Sequence, residues 1–320
     1  MLFNKSVYFI IGALVAFYVL KYIVPRLVNY SLDLPNNRSS HSLPTPRGGG
    51  VSFVFVSSAA SALALFLWPG DGLSSLQITV APLVALPLAF VGFLDDRHNL
   101  PATWRYGVQL ATALIVILLS PLVPHSVGLL PLSGLLLVIA ITAVINFTNF
   151  MDGIDGLLCG SMIVIFATIN LQFHFLSPVI GALTAFIYFN WYPSKMFMGD
   201  SGSLYLGTFL VSLIYSSPTY INLIKILLLC SPLLIDSFVC IVRRIINKQN
   251  IFKSHKLHLY QRLVSNGMSH SKVSLFYISS ITILGLVYTF AEIKYLLFTV
   301  LFIILLGFLL DKKYALDFNY

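Results

Sequence analysis

Asn146-Phe147-Thr148-Asn149-Phe150-Met151-Asp152-Gly153-Ile154-Asp155-Gly156 interrupts two long apolar runs with a row of amide and acid side chains. Asn146, Asn149, Asp152 and Asp155 fall at a spacing of three. On a 3₁₀-like turn that spacing stacks them on one face, and on an α-helix it makes a slowly drifting stripe. Asp-Gly twice also punctuates turns. Polar groups are costly at a membrane, however, so a row of them between apolar spans marks a candidate site. Gly153 and Gly156 leave room for another backbone or a phosphate.

The rest of the chain sets that row in a membrane. Of 320 residues 58% are hydrophobic and 9% charged, against roughly 25% charged in soluble domains. The mean hydropathy is +0.90. This composition predicts an all-α polytopic membrane protein forming a single unit over residues 1–320, with its site built from loops and helix ends. Eleven apolar runs of bilayer length lie near 7–24, 50–68, 78–94, 106–120, 127–145, 157–173, 176–189, 203–216, 221–241, 273–291 and 295–310. The first is long for a signal peptide and lacks a small-residue cleavage site, so it reads as an uncleaved helix. Cys159, Cys230 and Cys240 fit no disulfide framework or CxxC spacing and read as small hydrophobes.

Alternate loops differ in charge. One set, with its flanks, holds all but Lys5, Lys225 and Lys294 of the 19 basic residues. That side is expected to be cytoplasmic, with the N-terminus outside. The net charge of +8 follows from these loops and does not argue for nucleic acid. The other loops, such as Pro69-Gly70-Asp71-Gly72, read as plain connections. The one long loop spans 242–272.

The chemistry-bearing residues gather on the basic side. Thr45-Pro46-Arg47-Gly48-Gly49-Gly50 follows Arg38-Ser39-Ser40-His41 and opens a helix. Its glycines are expected to present N–H groups to an anion, and Arg47 a bidentate phosphate donor. Asp95 and Asp96 end the third run, where both can reach one cation. Mg²⁺ suits such a pair, since it takes oxygen ligands. Asp200 follows Phe197-Met198-Gly199; with Ser201 and Ser203 it could also serve as an N-cap. Phe197 could stack a base or be a membrane-edge aromatic. His255 and His258 are three apart and can share a helix face among Lys253, Lys256 and Arg262, which suits an anion. Zinc is disfavoured, because no third soft ligand is spaced with them. His125, His174 and His270 read as surface or interfacial. Asp236, inside the ninth run, is either a functional intramembrane acid or a hydrogen-bond partner for a neighbouring helix.

Together these motifs resemble the polyprenyl-phosphate N-acetylhexosamine-1-phosphate transferases, the WecA/MraY superfamily. The resemblance rests on Asp95-Asp96, the run from Asn146 to Gly156, Phe197-Met198-Gly199-Asp200-Ser201-Gly202-Ser203 and a His-containing last basic loop. Arg38 to Gly50 and His255 to Arg262 look like the WbpL-like branch that initiates O-antigen or related surface polysaccharides. The last loop departs from the clustered histidines of the WecA and MraY branches, carrying His255-Lys256-Leu257-His258 instead.

The resemblance implies transfer of an N-acetylated sugar-1-phosphate from a UDP-sugar to undecaprenyl phosphate. The reaction would run at the cytoplasmic face of the inner membrane, with UMP leaving and Mg²⁺ (or Mn²⁺) required. It implies Asn149 and Asp200 as metal ligands, and Asp155 and Phe197 as the uridine site. Asp95 and Asp96 would engage the lipid phosphate or act as base. Asn190, Asp152, His255 and His258 would contact substrate, with Asn146 in support. A homodimer remains open as a partner state. The competing reading, a multi-span transporter of an anionic or lipid-linked substrate, expects mid-membrane polar groups on broken, repeated helices. Only Asp236 lies clearly within a run, and no repeat is visible.

Overall fold

The computed structural model describes residues 5–34, 44–67, 73–123, 131–171, 175–251, 253 and 255–318. Arg38-Ser39-Ser40-His41, Pro69-Gly70-Asp71-Gly72, His125 and His174 lie outside them. The described chain is almost entirely helical. The helices are α1 (Lys5–Tyr30), α2 (Val51–Leu67), α3 (Leu73–Val84), α4 (Leu86–His98), α5 (Ala102–Leu119), α6 (Pro131–Phe150), α7 (Leu157–Asn170) and α8 (Ser177–Asn190). They continue with α9 (Gly199–Tyr215), α10 (Tyr220–Leu229), α11 (Ser231–Ile246), α12 (Leu259–Ser265), α13 (His270–Phe290) and α14 (Ile293–Tyr314). A two-residue antiparallel pair, β1 (Leu32–Asp33) with β2 (Thr45–Pro46), precedes α2.

Six stretches are long and apolar enough to cross a membrane: α1, α3 with α4, α5, α6, α13 and α14. The other five apolar runs correspond to α2, α7, α8, α9 and the pair α10–α11. Helices α7 and α8 have 14 residues each, roughly 21 Å of rise, well short of a hydrocarbon core of about 30 Å. Helices α10 and α11 meet at a bend of 74°. Pro232 explains the break: it sits in the first turn of α11, where a missing N–H is tolerated, and it cannot extend α10.

Helix α9 is the central post. Every residue from Ser201 to Ile214 is buried, as expected of a helix apolar on all sides. It contacts α2, α3, α4, α5, α6 and α10. The outer helices instead present large apolar side chains such as Phe66, Leu132, Phe290 and Phe298. In water such a surface would aggregate; in a bilayer it is solvated. The chain is a multi-pass membrane protein, and its site gathers around the N-terminal end of α9.

Candidate active site

The first turn of α9 is held by two other parts of the chain. On one side the segment before α2 runs beside residues 196–198. Phe197 N–H donates to Pro46 O at 2.9 Å, Gly49 N–H to Phe197 O at 3.0 Å, and Gly50 N–H to Met198 O at 3.0 Å. This corrects the anion-binding reading of the glycine loop, because the Gly49 and Gly50 N–H groups are already spent on backbone carbonyls. The glycines serve close approach instead: a Cβ on Gly50 would lie 2.4 Å from Gly202 Cα. Arg47 is held by Asp33 Oδ2 at 2.6 Å, with its side chain 41% exposed.

On the other side stands the end of α4. Asp95 and Asp96 do not share one target. Asp95 Oδ2 accepts from Arg105 at 2.8 Å, and the same Nη1 reaches Asp200 Oδ2 at 2.8 Å. Asp96 turns to the backbone and accepts the N–H groups of Asp200 and Ser201. The N-cap expected of Asp200 and its serines is thus supplied by Asp96, from another helix. Arg105, read only as one of many loop cations, is the residue that joins the two aspartates.

The opening stretch divides at Phe150, where α6 ends. Asn146 and Asn149 are helical, while Asp152 and Asp155 lie in the following turn. Asn146 forms a reciprocal amide pair with Gln109 on α5, at 3.2 and 3.0 Å, and also donates to Thr142 O at 2.8 Å. Asn149 accepts from the Ser203 hydroxyl of α9. The Asp152 carboxylate is half-buried and has no hydrogen-bond partner among the described residues. Burial first, then the charges of Asp200 and Asp96, push it up to about 8, with Arg47 opposing. Asp152, Asp96, Asp200 and Arg47 therefore share one electrostatic neighbourhood.

Asp155 turns away from that group. It is 4% exposed. Its Oδ2 accepts Ser194 N–H at 3.2 Å and lies 3.4 Å from His270 Nδ1, to which its own backbone N–H donates at 3.4 Å. His270 opens α13, is 6% exposed and packs on Tyr192, so of the surface and interfacial readings the exposed-surface one does not hold. Asn190 is also fully engaged: it accepts Gly156 N–H and donates to Met196 O, both at 3.1 Å. Phe197 is half-buried beside these residues. Tyr260 of α12 donates to Phe150 O at 2.7 Å and lies against Gly153, a brace with no signal in the sequence.

The long basic loop is shorter than read, since α11 runs to Ile246 and α12 begins at Leu259. His255 and His258 share no helix face. His258 is the buried N-cap residue of α12, and the two rings stack at 5.1 Å. Burial first, then the neighbouring His258 and Arg244, lower His255 to about 4. Asp236 resolves as an inter-helix anchor. It accepts Leu259 N–H at 2.9 Å, Tyr260 N–H at 3.3 Å and the Tyr277 hydroxyl at 2.6 Å.

Comparison with known proteins fits this geometry. The family model described as glycosyl transferase family 4 matches residues 78–217, the span holding the aspartates of α4, the 146–156 turn and α9. A decaprenyl-phosphate N-acetylglucosaminephosphotransferase of Mycobacterium leprae is 30% identical over 292 residues, covering 75% of this chain and 72% of its own. The chain belongs to glycosyl transferase family 4. A probable undecaprenyl-phosphate N-acetylglucosaminyl 1-phosphate transferase of Bacillus subtilis is 29% identical over 261 residues, covering 75% and 71%. A phospho-N-acetylmuramoyl-pentapeptide-transferase of Lactobacillus acidophilus is 30% identical over 266 residues, covering 72% and 79%. These relatives place this family 4 member within the WecA/MraY superfamily.

Proposed function

We propose that this family 4 protein transfers an N-acetylhexosamine-1-phosphate from a UDP-sugar to undecaprenyl phosphate. The donor is the UDP-sugar and the product starts an O-antigen or related surface polysaccharide. The reaction runs at the cytoplasmic face of the inner membrane, with the N-terminus outside. The observation that carries it is the convergence of Asp95, Asp96, Asp152 and Asp200 around one helix N-terminus, with Arg105 and Arg47 beside them.

Those residues suit a hard cation. The donors are oxygens, and Asp152 is an unpartnered carboxylate raised by burial and then by its acidic neighbours. Asp200, Asp152 and the Asn149 side-chain oxygen would hold Mg²⁺ or Mn²⁺. When bound, the metal supplies neutralisation of charge on the diphosphate. An oxygen of the lipid phosphate attacks the β-phosphorus of the UDP-sugar, the bond from that phosphorus to the bridging oxygen breaks, and UMP leaves. Catalysis is then mainly positioning and electrostatics. Arg47, whose side chain is partly exposed, can turn donors to a phosphate, and Arg105 holds Asp95 and Asp200 in register.

A base is not needed. A phosphate monoester has a second pKa of about 6, and an ordinary Asp one of about 4, so near neutral pH the nucleophile has already lost its proton. Asp95 bound to Arg105 and Asp96 bound to two N–H groups suit organising roles. The test is detergent-solubilised protein with undecaprenyl phosphate, Mg²⁺ and a panel of UDP-linked N-acetylglucosamine, N-acetylgalactosamine, N-acetylfucosamine and N-acetylquinovosamine. UMP release with one of these, lost in Asp200→Ala, is expected. No UMP with any donor overturns the reading.

A further inference from the structure

A second cluster of donor atoms lies where residues 255–258 meet α11. Cys240, on α11, and His255 and His258, from the returning segment, each bring one ligand atom within 4.8 Å of the others. Cys240 is 2% exposed and forms no disulfide. His258 is 3% exposed, yet its Nδ1 has no hydrogen-bond partner. Buried polar atoms in native proteins are almost always paired; a cation held by the ring's other nitrogen would fix Nδ1 as an N–H donor aimed at a carboxylate behind it. Asp236 Oδ1 lies 3.7 Å from this nitrogen.

We propose that Cys240, His255 and His258 form a binding site for a soft or borderline divalent cation, best matched by Zn²⁺. A thiolate with two imidazoles is the donor set of tetrahedral zinc, whereas Mg²⁺ takes oxygens. Zinc–sulfur and zinc–nitrogen bonds of about 2.3 and 2.1 Å put donors roughly 3.5 Å apart, a spacing the cluster can reach by side-chain adjustment. Asp236 supplies the outer partner that a metal-bound imidazole usually has, a carboxylate behind the ring. His258 coordinates through Nε2 while its Nδ1–H faces Asp236. Coordination through His255 Nε2 moves that ring's proton to Nδ1 and gives up the present Leu257 N–H contact at 3.2 Å. The third ligand that the local spacing lacks would be supplied by α11. The fourth position is left to water or to a donor from a bound substrate. The site staples the segment carrying both histidines to the α11 helix.

The full chain, purified in detergent without chelator, is assayed by elemental analysis and then loaded with Co²⁺ as a spectroscopic substitute. About one zinc per chain is expected, together with an intense thiolate-to-cobalt charge-transfer absorption. Cys240→Ser should remove that absorption and lower metal affinity by about tenfold or more. Cys159→Ser, at a buried cysteine outside the cluster, should keep both. If Cys240→Ser does not elute as the wild type does, His255→Gln provides the same test through loss of cobalt binding. Negligible zinc after equilibration with excess Zn²⁺ overturns the proposal, as does a cobalt spectrum without a charge-transfer band.

Discussion

Asp96 caps the helix that carries Asp200: its Oδ1 accepts the Asp200 N–H at 3.0 Å, and its Oδ2 that of Ser201 at 3.2 Å. The first N–H groups of any helix lack partners within it, and a local side chain usually supplies one. Here the acceptor comes from another helix, so the position of Asp200 is tied directly to the end of α4. Gly199 makes this possible. Its φ of +74° favours glycine, and a Cβ there would sit 2.4 Å from the Asp96 carboxylate.

Replacing Asp96 by Ala orphans two N–H groups and should cost about 1–2 kcal/mol of stability. Asn keeps one oxygen acceptor and should cost less. Thermal unfolding in detergent should rank wild type above Asp96→Asn and Asp96→Asn above Asp96→Ala. Equal midpoints for the two variants would contradict the capping role.

Arg105 lies between the carboxylates of Asp95 and Asp200. Removing it as Arg105→Ala leaves two like charges facing each other, and transfer should fall by about 10²-fold or more. Lys keeps the charge but not the planar fork, so Arg105→Lys should recover only part. Turnover of Arg105→Ala equal to wild type would remove Arg105 from the machinery.

The Asp152 carboxyl, raised to about 8 by burial and then by Asp200 and Asp96, predicts a pH-dependent stability. An ordinary Asp titrates near 4. Between those values the folded protein retains a proton that the unfolded chain has lost, so stability falls as pH rises from about 4 to about 8. Asp152→Asn removes this dependence. In metal-free buffer its midpoint should exceed the wild type's at alkaline pH, by on the order of 1–3 kcal/mol, and converge with it near pH 4. A difference independent of pH would contradict the shift.

The Gln109–Asn146 pair predicts non-additivity. Asn146→Leu leaves the buried Gln109 amide unmatched, at about 1–3 kcal/mol, and Gln109→Leu should cost less, since half-buried Asn146 keeps Thr142 O. The double variant should cost less than their sum, with a coupling of about 0.5–3 kcal/mol. Additive costs, with a raised KM for donor in Asn146→Leu, would instead make Asn146 a substrate contact.

Much of this architecture was legible in order along the chain. Apolar runs gave the helices, and acids at their ends marked which helix tips matter. What could not be read were partners chosen in three dimensions. Arg105 looks like any interfacial cation, Gln109 like a stray amide in a span, and His270 like a surface residue. Each acquires its role from an element far away in sequence: Asp95 and Asp200, Asn146, and Asp155 respectively. Period and propensity describe a segment alone, whereas hydrogen-bond satisfaction is a property of the packed whole. The glycine loop failed for a related reason, since its N–H groups were claimed by residues 197 and 198.

The backbone contact of Gly50 with Gly202 has a further consequence, together with the contact of Gly92 on Asp200 O, which a Cβ would approach to 2.4 Å. The N-terminal end of α9 is clamped by main chain on two sides, and no side-chain replacement at these glycines can reshape it without moving a helix. This face therefore tolerates little change at its glycines. A change of shape at this end of α9 has to come from the side chains gathered there, such as Arg105 and Asn149.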